Sequence, residues 1–148
     1  MIRLAVVEDI AALHRIRLAV RENVLSEPAS VTEASYRPYF AGRGVGWAAE
    51  RDGAPLGFAI LDLEEKRVWA LFVHPQAEGT GIGTALIGEI RAFAAAHCVD
   101  RLRLATGAGT RAARFYERLG WKPVGFAKNG DVEYIWDRHD ADDPEPSR

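Results

Sequence analysis

At 148 residues the chain is long enough to bury the core of one domain without disulfide or metal staples. Its 48% hydrophobic and 27% charged content is that of an ordinary globule, and a net charge of -2 argues against nucleic acid as a bulk partner. The single Cys98 excludes an intrachain disulfide and a paired-cysteine metal site, and no apolar run approaches the ~20 residues that span a bilayer.

Charges at Arg3, Glu8 and Asp9 interrupt the N-terminus, so no signal peptide is expected and the cytoplasm is the expected location. Ile2 to Val6 reads as a first strand. Asp9 is placed to cap a helix with the apolar stripe Ile10, Leu13, Ile16 and Val20. Glu22 to Thr32 is loop-like, and a short helix carrying Tyr36, Tyr39 and Phe40 follows. Gly42, Gly44 and Gly46 break that helix and read as a connector. Trp47 to Arg51 and Leu56 to Leu63 form a hairpin around Asp52-Gly53, a strong turn dipeptide. Glu64-Glu65-Lys66 turns the chain into Val68 to Val73, which has no polar residue on either alternation phase and so predicts a strand buried on both faces.

His74-Pro75 ends that strand, because proline cannot supply the next ladder N–H. Gly79, Gly81 and Gly83 follow, and from Ile82 the apolar residues Ile82, Leu86, Ile90 and Phe93 mark a helical stripe. The glycines therefore lie at a helix entry, where the first backbone N–H groups lack partners and the macrodipole is positive. Such a loop can wrap a phosphate in bare amides. A P-loop would need a lysine followed by Ser or Thr after the last glycine, and none is present. A dinucleotide fingerprint needs G-x-G-x-x-G in the first strand-to-helix turn, whereas the spacing here is G-x-G-x-G on a later strand. The third possibility is the acyl-CoA loop, Gln/Arg-x-x-Gly-x-Gly/Ala, after a strand ending in Val-x-Pro. Glu78-Gly79-Thr80-Gly81-Ile82-Gly83, preceded by Val73-His74-Pro75, matches it at every position but the first, where Glu78 replaces Gln or Arg.

A short strand, Leu102 to Thr106, comes next, and then Arg111-Ala112-Ala113-Arg114-Phe115-Tyr116-Glu117-Arg118-Leu119-Gly120-Trp121. That stretch resembles the Ala-x-x-Phe-Tyr-Glu-x-Leu-Gly-Phe signature of the GNAT superfamily of N-acetyltransferases. Two motifs in the family's order are more specific than either alone, and they cover the second half of the chain. Pro123 to Ala127 and Val132 to Arg138 make a last hairpin across Asn129-Gly130. The element order β-α-α-β-β-β-α-β-α-β-β is also the family's. The expected fold is thus α/β of the α+β type over residues 1–140, followed by a disordered acidic tail over 141–148. The resemblance implies a mixed, mostly antiparallel sheet, splayed at the acyl-CoA site, with helices on both faces.

The resemblance also assigns roles. Acetyl-CoA is the implied co-substrate, with no metal. Amides of Glu78, Gly79, Thr80, Gly81, Ile82, Gly83 and Thr84 would face its pyrophosphate, Phe72 and Val73 would contact the pantetheine arm, and Phe115 would lie against the cofactor. Tyr116 occupies the position of the family's general acid. A tyrosine titrating near ~10 stays protonated at neutral pH and can donate to a leaving thiolate. By spacing alone, Phe115, Tyr116, Leu119 and Ala112 would make a buried helix face, and Glu117 a solvated residue.

No general base is assigned. Asp62, Glu64, Glu65 and His74 are possible proton acceptors, but hairpin carboxylates are usually just solvated. Gly109 stands where the family often has Asn, and Glu78 puts a negative charge beside a polyphosphate. The acceptor would be an amine entering between Leu25 to Ala34 and Gly125 to Tyr134. Tyr36, Tyr39, Trp47 and Tyr134 are aromatic wall candidates there, and Glu27, Glu33 and Glu133 could attract a cation. His97 and Cys98 read as packing and capping residues, and His14, on a helix flank, as a bland one. A homodimer is possible, and neither nucleic acid nor a membrane is an expected partner. Two functions stay open at this level: an acetyl-CoA-dependent N-acetyltransferase, and a catalytically silent acyl-CoA-binding or interaction domain of the same fold.

Overall fold

In the computed structural model, residues 1–20 and 31–139 are described, and the chain divides into two units, Met1–Ile90 and Arg91–Arg148. The proposed tail over 141–148 lies outside the described residues.

The first unit is built on four strands: β1 (Ile2–Leu4), β2 (Gly44–Arg51), β3 (Ala54–Asp62) and β4 (Arg67–Val73). They lie in sequence order, each antiparallel to the next. Asp52 and Gly53 close the β2–β3 hairpin with φ of 55° and 79°. Consecutive left-handed residues match the twist of a two-residue hairpin, which is why Asp-Gly serves there. On one face, Ile10, Leu13 and Ile16 of α1 (Ile10–Ala19) and Tyr36 of α2 (Glu33–Pro38) pack on Ala48, Phe58, Ile60, Ala70 and Phe72. On the other face, Gly57 leaves room for α3 (Ile82–Ala96), since a Cβ there would come within 2.7 Å of the Ile82 side chain.

Three expectations are corrected in this unit. Asp9 does not cap α1 with its side chain; its carboxylate accepts from the Val6 N–H and from both terminal nitrogens of Arg3, which fixes the short 3-10 turn Val7–Asp9 ahead of the helix. Gly44 and Gly46 belong to β2 rather than to a connector, pairing with Asp62 and Ile60. A Cβ on Gly44 would lie 2.6 Å from the Leu61 carbonyl oxygen, so the strand can begin there only with a bare backbone. β4, expected to be covered on both faces, alternates instead: Val68, Ala70 and Phe72 are buried, while Trp69, Leu71 and Val73 are half-buried. Register explains part of this. Ile60 pairs with Ala70 and Leu61 with Val68, so Trp69 is an extra residue, and a bulge of that kind re-aims its side chain. The Trp69 ring turns onto Tyr36 and Tyr39, at centroid distances of 5.0 and 4.6 Å.

Asp62 closes the turn between β3 and β4. Its Oδ1 accepts the N–H groups of Glu64 and Glu65, and its Oδ2 accepts from Arg43. Burial by itself raises the pKa of this carboxyl, but the Arg43 bonds and the two N–H donors outweigh it and hold it below the usual carboxylate range. With the folded pKa depressed, its stabilisation is complete above the unfolded value near ~3.9 and disappears as pH falls through the folded one. Asp62→Ala is expected to cost about 2 kcal/mol at neutral pH, because a side chain only 3% exposed leaves two turn N–H groups without their acceptor. Urea unfolding at pH 7 and pH 3 checks this, and the difference between variant and wild type should shrink at the lower pH.

The second unit contains β5 (Arg101–Thr106), α4 (Arg111–Arg118), β6 (Lys122–Phe126) and β7 (Val132–Asp137). β7 pairs antiparallel with β5 on one side and β6 on the other. Strict alternation on β5 buries Leu102, Leu104 and Thr106. With Ala113 and Tyr116 of α4, Trp121, and Tyr134 and Trp136 of β7, these residues form its core. α4 starts at Thr110, whose Oγ1 accepts the Ala113 N–H and donates to the Gly107 carbonyl. The turn joining β6 and β7 falls at Asn129-Gly130, as expected, with Gly130 at φ 91° and the Asn129 side chain bonded to the Asp131 N–H.

Candidate active site

β4 delivers the chain to the glycine loop. The His74 N–H donates to the Leu56 carbonyl at 2.7 Å, holding the end of β4 against β3. His74 Nδ1 then accepts the Gln76 N–H at 3.1 Å and caps the single 3-10 turn Pro75–Ala77. Thr80 Oγ1 donates back to the Ala77 carbonyl at 2.5 Å. The loop is thereby tied to its own preceding turn, and Glu78 to Gly81 are exposed.

Gly79 and Gly81 have φ of 76° and 88°, and neither has any atom within 4 Å of where a Cβ would stand. Their glycine identity therefore answers to backbone conformation and to open space above it, not to packing. Gly83 differs: it lies in the first turn of α3. The first intrahelical bond of α3 runs from the Ala85 N–H to the Gly81 carbonyl. The N–H groups of Ile82, Gly83 and Thr84 precede it and have no carbonyl one turn back within the helix. A 15-residue helix thus begins at an exposed loop of left-handed glycines, which brings its first-turn amides and the positive end of its dipole together. Phe72 is buried against Phe58 at 5.7 Å, and Val73, half-buried, is the last residue of β4.

In the second unit Tyr116 is 6% exposed, its ring packed by Phe115, Trp121 and Tyr134 at 5.2, 5.8 and 6.5 Å. Burial pushes its pKa well above the ordinary tyrosine value, so the phenol keeps its proton throughout the neutral and mildly alkaline range. Tyr116 is thus a buried core aromatic, as its spacing predicted. Phe115 is half-buried beside it. Gly109 has φ 72° and its carbonyl accepts from Arg114. Glycine and asparagine are the residues that visit this left-handed region readily, which gives a backbone reason for glycine at a position where the family often has Asn.

Several proposed site residues have other duties. Tyr36, Tyr39, Trp47 and Tyr134, proposed as an aromatic wall, are all buried core residues. Glu117 is not merely solvated: it accepts a 2.6 Å hydrogen bond from the Tyr134 hydroxyl. Burial, and then that carboxylate, push the Tyr134 pKa up to about 12. Asp62 is fully engaged in its turn and is a poor base. His14, read as bland, holds the Tyr36 hydroxyl through Nδ1 at 3.0 Å. Arg17 was missed altogether. It is 5% exposed, with its guanidinium over Trp69 and Phe72 at 4.7 and 4.8 Å. Its spacing from Ile10 and Leu13 places it on the buried stripe of α1, and that spacing was the available signal. Most of the expected acceptor loop, with Glu27, lies outside the described residues.

The family model for the acetyltransferase (GNAT) domain matches residues 42–123, more than half of the chain and inclusive of both motifs. The chain belongs to the GNAT family of acetyltransferases. As a GNAT protein it is an acetyl-CoA-dependent acetyltransferase. Solved structures share its fold. PaiA N-acetyltransferase from Thermoplasma acidophilum, solved with coenzyme A, superposes with a TM-score of 0.80 at 15% identity over 93% of this chain and 98% of that one. The ribosomal-protein-S18-alanine N-acetyltransferase from Escherichia coli gives 0.73 at 20% identity over 91% and 90%. A GNAT acetyltransferase from Staphylococcus aureus Mu50 gives 0.77 at 16% over 93% and 98%. The α/β GNAT fold expected from the sequence is the fold observed. Among the described residues, no group of three or more His, Cys, Asp or Glu could hold a metal ion, and no helix is long and apolar enough to cross a membrane.

Proposed function

We propose that this GNAT protein transfers the acetyl group of acetyl-CoA to a primary amine of a small molecule or peptide by direct attack, with Tyr116 as general acid. The observation that carries the reading is the helix entry at Gly79 to Thr84. Its left-handed glycines, open space and helix-entry amides suit a pyrophosphate. In this reading the backbone of Phe72 and Val73 binds the pantetheine arm, and an amide there faces the thioester oxygen as negative charge develops on it. Phe115 supports the cofactor. The amine nitrogen bonds to the carbonyl carbon, the carbon–sulfur bond breaks, and the sulfur takes the Tyr116 proton. The proton lost by the amine leaves to water, since Asp62 is committed to Arg43 and its turn.

Two features support Tyr116 in that role. It occupies the family's tyrosine position, and burial keeps its phenol neutral. Its raised pKa also sets the pH dependence. Activity should climb as the amine deprotonates and should show no falling alkaline limb below about pH 10, the free tyrosine value. The deciding experiment is free-thiol release from acetyl-CoA across a panel of peptides, polyamines, aminoglycosides and amino acids, with the acetylated product identified by mass. Thiol release that needs an amine and yields an amide carries the reading. CoA binding with no amine acetylated by any member of the panel would turn it towards an acyl-CoA-binding domain.

A further inference from the structure

Tyr116 sits on a helix of eight residues, α4. A helix that short has little stability of its own, so tertiary contacts decide how it lies. Its two ends are tied by hydrogen bonds. At the start, Thr110 Oγ1 accepts the Ala113 N–H and Arg114 donates to the Gly109 carbonyl; at the finish, Arg91 donates to the Leu119 carbonyl. Bonds at the ends set the axis of a helix more firmly than its rotation about that axis.

Rotation is the motion that matters for Tyr116, because a phenol protonates a sulfur only from within hydrogen-bond reach. Glu117 stands where that rotation can be stopped. Successive helix residues are ~100° apart, so Glu117 borders the buried face that carries Ala113 and Tyr116, and it is itself exposed. Its Oε2 accepts the Tyr134 hydroxyl at 2.6 Å. A hydroxyl bonded to a carboxylate at such a length makes one of the stronger hydrogen bonds. Tyr134 belongs to β7, is 1% exposed, and packs its ring on the Tyr116 ring at 6.5 Å. If α4 rolled away, a buried hydroxyl would lose its acceptor, which is unfavourable.

We propose that Glu117 and Tyr134 are positioning residues for Tyr116. Their hydrogen bond ties the flank of α4 to β7 and so fixes where the Tyr116 phenol points. The proposal rests on the reading of Tyr116 as general acid.

Glu117→Ala tests it with little risk to folding, since the residue is exposed and alanine is the best helix former. Thiol release from acetyl-CoA is measured with the panel of peptides, polyamines, aminoglycosides and amino acids as acceptor. Turnover in Glu117→Ala should fall by about 10-fold or more, with the acetyl-CoA KM unchanged, because a small misplacement of a reacting group is costly. Glu117→Gln keeps an oxygen that accepts from Tyr134 and should stay within a few-fold of wild type. In a Tyr116→Phe background, Glu117→Ala should have no further effect, as no hydroxyl remains to be placed. A second measurement needs no acceptor. With 4 tyrosines in the chain, the Cζ resonance of Tyr116 in tyrosine-labelled protein is assigned from its loss in Tyr116→Phe. It should shift in Glu117→Ala and hold in Glu117→Gln. An unmoved resonance in Glu117→Ala, or wild-type turnover in that variant beside a slow Tyr116→Phe, would overturn this proposal alone. A Tyr116→Phe that turns over normally would overturn the general acid and this proposal with it.

Discussion

Tyr116→Phe is expected to lower turnover by about 10²-fold while leaving the acetyl-CoA KM within a few-fold of wild type. That factor corresponds to about 2.7 kcal/mol of barrier. The hydroxyl acts on a thiolate whose charge develops only in the transition state, so ground-state binding has little reason to respond. The phenylalanine ring keeps the contacts to Phe115, Trp121 and Tyr134, and the melting temperature should therefore move little. Steady-state kinetics with the amine found in the panel, alongside a melt, measures both. A variant that turns over within a few-fold of wild type would make Tyr116 a core residue only, with the proton drawn from elsewhere.

Gly81→Asp should weaken CoA binding by about 10²-fold or more, as it adds a carboxylate beside the helix-entry amides that would face a polyphosphate. Two effects combine. A side chain at φ 88° strains the backbone by about 1–2 kcal/mol, and the added charge repels the ligand. Gly81→Ala separates them, since it carries the strain without the charge and should lose distinctly less. The loop is exposed and Gly81 has no neighbour within 4 Å of a Cβ, so both variants should fold. Isothermal titration with CoA reads the affinities; an unchanged dissociation constant for the aspartate variant would remove the loop from the cofactor site. A defect in Gly81→Asp with normal turnover in Tyr116→Phe would keep the binding site and discard the general acid.

Features that depend on one short stretch were legible in the sequence. Asp52-Gly53 closes its hairpin because those residue types tolerate the left-handed turn wherever they occur. The glycine loop was readable for the same reason: Gly79 and Gly81 adopt conformations that other residues resist, and the apolar spacing from Ile82 marked where the helix begins. The Tyr116 motif lies within one helix, yet its spacing gave only part of the buried face: Tyr116 is buried together with Ala113, whereas Ala112, Phe115 and Leu119 are half-buried.

What only the tertiary structure decided involves partners far apart in the chain. The apolar run of β4 looked uniform, but one extra residue opposite Ile60 and Leu61 turned Trp69 towards Tyr36 and Tyr39. A bulge has no residue signature of its own, because it arises from the register between two strands. Asp62 and Glu117 read as solvated carboxylates until Arg43, 19 residues away, and Tyr134, 17 residues away, were brought to them. The four proposed wall aromatics turned out to be buried, Tyr36 and Tyr39 from α2 and the turn after it, Trp47 and Tyr134 from β2 and β7, because what covers a side chain is set by elements distant in the chain. By itself the sequence determined the family, the glycine loop at a helix entry and the place of Tyr116 in its helix, all of them set by local backbone and helical spacing. Which aromatics are core and which carboxylates are committed followed only from packing, because burial is a property of the assembled elements and not of any one segment.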